Sequence, residues 1–77
     1  MIKEPYRQKT SIIHQAFQLA KKGVKESELT RYITKRSGNA ARVLKELKKG
    51  SAQGYLWDVD DFNGYLKITN IRAAAKL

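Results

Sequence analysis

The chain has 77 residues, a formal net charge of +9, one histidine and no cysteine, so a single domain near the lower size limit for one stable core is expected. Without cysteine, a disulfide framework and a thiolate metal site are excluded, and His14 alone cannot form a histidine-rich metal cluster. No apolar run approaches the roughly 20 residues of a membrane-spanning helix, which predicts a soluble protein with no cofactor.

The positive charge is concentrated in the middle of the chain. Residues 1–30 carry six basic and three acidic side chains, residues 31–50 carry seven and one, and residues 51–77 carry three of each. A positive field confined to one stretch is typical of a surface that binds a polyanion. The alternative is a solvated basic face that only keeps a small protein in solution.

Residues 1–8 show no sustained hydrophobic period and are predicted to form an arm. The first helix is predicted over residues 10–23, where Thr10 or Ser11 can accept the first backbone N–H bonds and Gly23 can end the helix. Its apolar stripe repeats at i, i+3, i+4 and i+7 and consists of Ile13, Ala16, Phe17 and Ala20.

Two further helices are predicted over residues 26–34 and 37–49. The inner face of the second helix consists of Leu29, Tyr32 and Ile33. The third has an apolar stripe of Ala40, Val43, Leu44 and Leu47, and its opposite face carries Gly38, Ala41, Arg42, Lys45 and Lys49. Ser37 is the predicted N-cap of this helix. A helix with a packed back and a small, cationic front fits the major groove of DNA.

The segment 54–70 is predicted to be a β-hairpin around Asn63-Gly64, because both residues tolerate positive φ. A two-residue loop pairs Val59 with Ile68, and a four-residue loop pairs Val59 with Leu66. Both registers place Trp57, Val59, Leu66 and Ile68 on one face. The tail 71–77 is predicted to be a short helix that needs packing against another surface.

This order of elements resembles the winged helix-turn-helix family. The matching positions are Leu29 and Ile33, then Ala40, Leu44 and Leu47, then Lys48-Lys49-Gly50. Lys35 stands near the place where the family usually has an apolar turn residue. The resemblance implies an α+β, mostly α fold, with three helices, a C-terminal β-hairpin wing and a short C-terminal helix.

The resemblance also implies that the third helix enters the major groove and that the hairpin lies along the adjacent DNA backbone. On this chain, the residues predicted to contact bases are Asn39, Ala41, Arg42 and Lys45, of which Lys45 can equally reach a phosphate. The residues predicted to contact phosphates are Lys35, Arg36, Ser37, Gly38, Lys48 and Lys49.

Three carboxylates, those of Asp58, Asp60 and Asp61, gather around the predicted hairpin tip. Carboxylates are repelled by phosphates, so the wing either stands away from DNA or faces a basic protein partner. The alternative is cross-strand pairing with Lys67 and protection of an exposed sheet edge.

The sequence therefore predicts a cytoplasmic or nucleoid-associated double-stranded DNA-binding protein, a small transcriptional regulator of microbial or viral type. A weak homodimer is predicted through the tail and the first helix. The alternatives are a protein-interaction module of a replication, segregation or transcription complex, and an RNA-binding module. An enzyme is not expected, because no phosphate-binding glycine loop or nucleophile motif occurs and the acidic residues have no third metal ligand near them.

Overall fold

The computed structural model describes residues 4–36 and 38–74. The helices are α1 Ile12–Lys22, α2 Glu26–Lys35 and α3 Ala40–Lys48. The strands are β1 Val24–Lys25, β2 Ser51–Ala52, β3 Tyr55–Phe62 and β4 Tyr65–Ala73. The strands form one antiparallel sheet in the order β1-β4-β3-β2.

The prediction of a mostly α fold is wrong. The described chain is about 43% helix and 30% strand, which makes it a mixed α+β fold with three helices and a four-stranded antiparallel sheet. The two outer strands, β1 and β2, have only two residues each. A segment that short carries no alternating hydrophobic pattern, so pairing with a longer neighbour, and not its own sequence, makes it a strand.

The predicted C-terminal helix is also wrong over residues 71–73, which form the end of β4. Asn70, which directly precedes that segment, has φ +53° and lies at an irregularity of the β3–β4 ladder. This bulge lets β4 continue, so that Arg72 pairs with Leu56. Residues 75–77 lie outside the described residues.

The β3–β4 hairpin has the register of the two-residue loop. Val59 pairs with Ile68, and Phe62 pairs with Tyr65 across the turn. Asn63 and Gly64 have φ of +53° and +74°, as a turn that follows the right-handed twist of the strands requires. Gly64 also accepts a hydrogen bond of 2.7 Å from the backbone N–H of Glu26, which ties the tip to the start of α2.

An aromatic cluster forms the centre of the core. The ring of Phe17 lies 5.1 Å from Trp57 and 5.6 Å from Tyr6, centroid to centroid. Around it are further buried residues, namely Ala16, Ala20, Leu29, Ile33, Leu47, Leu66 and Ile68. The core therefore lies between the three helices and one face of the sheet, and its members come from every long element.

Residues 4–6 of the predicted arm pack against this core, while Arg7 and Gln8 are exposed. Pro5 is fully buried and Tyr6 is 8% exposed. The backbone N–H of Tyr6 donates to Oε1 of Gln53 at 2.8 Å, and its carbonyl oxygen accepts from Nδ1 of His14 at 2.5 Å. The Glu4 carboxylate accepts from Lys21 and Gln18 on α1. These contacts fasten residues 4–6 to α1 and to the β2–β3 turn.

Candidate nucleic-acid interface

Helix α3 packs against the core with one side and exposes the opposite side to solvent. Leu47 is fully buried, while Ala40, Val43 and Leu44 pack against the core. The residues of α3 and its C-cap that are exposed are Ala41, Arg42, Lys45, Lys48 and Lys49. They border an open concavity with a volume of about 860 Å³. Four of these five side chains are cations, so the free side of α3 is the cationic face that the sequence predicts.

The N-terminus of α3 is built differently from the prediction. Asn39 is the N-cap, and its Oδ1 accepts from the backbone N–H of Arg42 at 3.1 Å. Ser37, the predicted cap, lies outside the described residues. A bidentate pair with adenine needs the Oδ1 of the amide, and here that atom completes the helix end. Asn39 therefore acts first as a structural residue.

Gly38 is a packing residue in the turn between α2 and α3. Its N–H donates to the carbonyl oxygen of Ile33 at 3.0 Å, so this amide is already used. A Cβ at this position would lie 2.7 Å from Cγ2 of Ile33 and 3.1 Å from Cδ1 of Ile12. The glycine is needed because the turn runs against two isoleucine side chains, which is a different reason from the predicted phosphate contact.

Lys48 lies in an ion-pair network at the C-terminal end of α3. Its Nζ is 2.8 Å from Glu26 at the start of α2 and 3.3 Å from Asp61 on β3. The hydrogen bond that the Lys48 ammonium donates to the Glu26 carboxylate raises the pKa of Lys48, and Asp61 raises it further, although partial burial opposes both effects. Lys48 is thus engaged within the protein, whereas its neighbour Lys49 forms no ion pair among residues 4–36 and 38–74.

The three acidic residues predicted to gather at the hairpin tip do not share one face of the sheet. Asp58 accepts from Asn70 at 3.1 Å and pairs with Arg72 at 3.4 Å. Asp60 stands opposite Lys67 in the ladder. Asp61 lies opposite the buried Leu66, on the face of the sheet toward the helices. Alternation along β3 separates Asp61 from the other two.

The basic residues at the end of α2 are exposed. Lys35 is the last residue of the helix, and the guanidinium carbon of Arg36 lies 3.7 Å from the centroid of the Tyr32 ring. The Tyr32 hydroxyl in turn donates to Oε1 of Gln15 at 2.8 Å. A stacked guanidinium keeps its in-plane donors, so the stacking fixes Arg36 without using its hydrogen-bonding edge.

Glu46 is a member of this surface that sequence reasoning missed. The Tyr6 hydroxyl donates to its Oε1 at 3.0 Å. Burial raises the pKa of the Tyr6 phenol, and the Glu46 carboxylate raises it further. The two residues are 40 positions apart, and neither belongs to a motif, so no local signal links them. Tyr6 orients the carboxylate of Glu46, the one acidic residue of α3, beside the cationic face of the helix.

No family model, curated protein or solved structure matches this chain. Within residues 4–36 and 38–74, no helix has the length and apolar character needed to cross a bilayer. The same residues contain no group of three or more acidic or histidine side chains placed to hold a metal ion.

Proposed function

We propose that the protein binds double-stranded DNA through the exposed side of α3 and acts as a small transcriptional regulator. The supporting observation is that Arg42, Lys45 and Lys49 are all exposed at positions i, i+3 and i+7 of one helix face. The other side of the same helix packs against the core. A cationic row on a rigidly packed helix suits the major groove, which admits one α-helix.

The roles differ along the row. Arg42 follows the N-cap by three positions and is the proposed base-reading residue, because a guanidinium pairs with guanine O6 and N7. Ala41 beside it is exposed and small, which permits close approach to a base edge. Lys49 and Lys35, at the ends of α3 and α2, are proposed to contact phosphates, and Lys45 to reach either a base or a phosphate.

The hairpin is proposed to contribute little to DNA affinity. Asp61 faces α3 and lies 3.3 Å from the Nζ of Lys48, whose charge it partly neutralises. On the outer face, the carboxylate of Asp58 is paired with Arg72. The affinity is therefore assigned to the cationic row of Arg42, Lys45 and Lys49, together with the basic residues at the end of α2.

The resemblance to the winged helix-turn-helix family supports this proposal through the order of the elements. Three helices are followed by the β3–β4 hairpin, as in the pattern on which the resemblance rests. A homodimer on DNA also remains a proposal, because one helix reads only a few base pairs. Ile71, proposed as part of its contact surface, packs against the core of its own chain, so the tail is not assigned to that contact.

Selection of binding sites from a random duplex pool by mobility shift tests the proposal. We expect enrichment of a short motif and binding that weakens steeply as salt rises, because each phosphate contact releases counterions. A motif present in two copies at a fixed spacing would indicate two protein chains on one DNA. A pool that stays random, with weak binding at physiological salt, would overturn the regulator function.

A further inference from the structure

The tip of the β3–β4 hairpin carries two exposed aromatic rings. Phe62 is 64% exposed and Tyr65 is 45% exposed, and they are the large hydrophobic side chains that the described residues leave to solvent. The two residues pair directly across the ladder, so their side chains leave the same face of the sheet. This is the face opposite to the core, away from Trp57 and Leu66.

The Tyr65 ring is held in place by the backbone beneath it. A Cβ at Gly23 would lie 2.9 Å from both Cε2 and the hydroxyl oxygen of Tyr65, so the ring rests against the glycine at the end of α1. Gly23 has φ +96°, a conformation that favours glycine. A ring backed in this way presents its free side in one orientation.

Two lysines flank the aromatic pair. Lys25 on β1 pairs with Tyr65 in the ladder, and Lys67 follows Tyr65 by two residues on the same strand face. Both are exposed. Beside the rings lies a shallow depression of about 370 Å³, lined by Asp60, Phe62, Asn63, Tyr65 and Lys67. Because Asp60 stands opposite Lys67, the more cationic side is that of Lys25.

We propose that this outer sheet face is a second nucleic-acid site, at which unpaired bases of a single strand stack on Phe62 and Tyr65. Every base has a π-face, so exposed aromatic rings beside cations bind single strands with little sequence preference. Lys25 and Lys67 would contact the phosphates on either side of a stacked base. The central part of a protein-docking patch is instead usually depleted of lysine.

The site is tested by measuring the binding of a labelled oligothymidine of about 12 nucleotides, with fluorescence anisotropy at low salt as the readout. Phe62→Leu keeps an apolar side chain but removes the π-face, and we expect it to weaken binding by roughly 5- to 100-fold. Phe62→Trp should retain binding. Thr69→Ala is the matched control, because Thr69 is an exposed β4 residue that faces the same side and has no ring.

The site and the proposed duplex-binding function can fail separately. Phe62→Leu should leave the affinity for a selected duplex unchanged, whereas Arg42→Ala should lower duplex affinity and spare oligothymidine binding. The proposal would be overturned if the parent protein did not bind the oligonucleotide, or if Phe62→Leu bound it as tightly as the parent. Sedimentation gives a third contrary result, namely self-association of the parent that Phe62→Leu abolishes. Because Phe62 is 64% exposed, its substitution should leave the thermal midpoint unchanged.

Discussion

The indole Nε1 of Trp57 donates a hydrogen bond of 2.8 Å to the backbone carbonyl oxygen of Leu47, and both residues are buried. This carbonyl is among the last four of α3, which have no partner within the helix. One side chain of the sheet therefore completes the end of the helix proposed to bind DNA. The bond fixes α3 against β3 at the level of the aromatic core.

Trp57→Phe should destabilise the protein by about 1–3 kcal/mol, because a buried carbonyl oxygen loses its donor. Urea unfolding followed by far-ultraviolet circular dichroism measures the change. Tyr55→Phe, which removes a phenol oxygen from the same strand, should cost less. Equal stability of the Trp57→Phe variant and the parent would show that the bond does not hold α3 to the sheet.

Gly38→Ala should destabilise the protein by about 1–3 kcal/mol, since a methyl group would overlap Ile33 in a packed turn. The same variant should bind DNA more weakly, because the turn positions α3 relative to α2. Thermal unfolding and a duplex titration give the two values. A variant as stable as the parent would mean that the isoleucine side chains move aside, and the assignment of Gly38 as a packing residue would then be wrong.

Stability should depend on Tyr6 at alkaline pH. The pKa of its phenol is raised in the folded protein, first by burial and then by Glu46, so the folded state favours the neutral form. An unfolded tyrosine ionises near pH 10. The contribution of this pKa shift to the free energy of unfolding is therefore complete below about pH 10. Above that pH it is lost, at up to about 1.4 kcal/mol per pH unit.

Urea midpoints of the parent and of Tyr6→Phe, compared between about pH 9 and pH 11, measure this contribution. The parent should lose stability more steeply than the variant over that range. Parallel curves would show that Tyr6 ionises alike in both states, and the packing of residues 4–6 on the core would lose its support.

Hydrophobic periodicity and turn residues correctly predicted the buried sides of the helices and the position of the hairpin turn, because both depend on residues close together in sequence. The period of the apolar residues marks the sides of α1 and α3 that contain Phe17 and Leu47, and Asn63-Gly64 marks the turn because of its backbone preference. Contacts between distant residues left no such pattern. Neither the burial of Tyr6 nor the ion pair of Lys48 with Glu26 has a local signal, since each partner lies tens of residues away.

The same limit explains which contacts at the candidate site the sequence does not reveal. Asp58, Asp60 and Asp61 are neighbours in sequence, and only the pleat of β3 decides that Asp61 points to α3. Lys48 and Lys49 look alike in the sequence, although the structure pairs one of them with two carboxylates. The mostly α prediction failed for a related reason, since β1 and β2 exist only through their neighbours.

Asp61→Asn should increase duplex affinity by roughly 2- to 5-fold. The substitution removes the carboxylate charge that partly neutralises Lys48, so the lysine charge is then available to attract DNA. Asp58→Asn is the matched control, because it removes the same charge from the outer face, where Asp58 pairs with Arg72. Titration of one duplex with both variants decides the matter. Equal gains would indicate a general charge effect, and DNA would then not approach the end of α3.

Whether Arg42 reads a base from α3 is decided by the affinity of Arg42→Ala for a selected duplex and for single base-pair variants of that duplex. We predict a loss of about 1–3 kcal/mol and relaxed preference at one base pair. Lys22→Ala, which removes the same charge from an exposed position of α1, should keep the preference unchanged. Unchanged affinity and preference in Arg42→Ala would contradict the proposed role of α3.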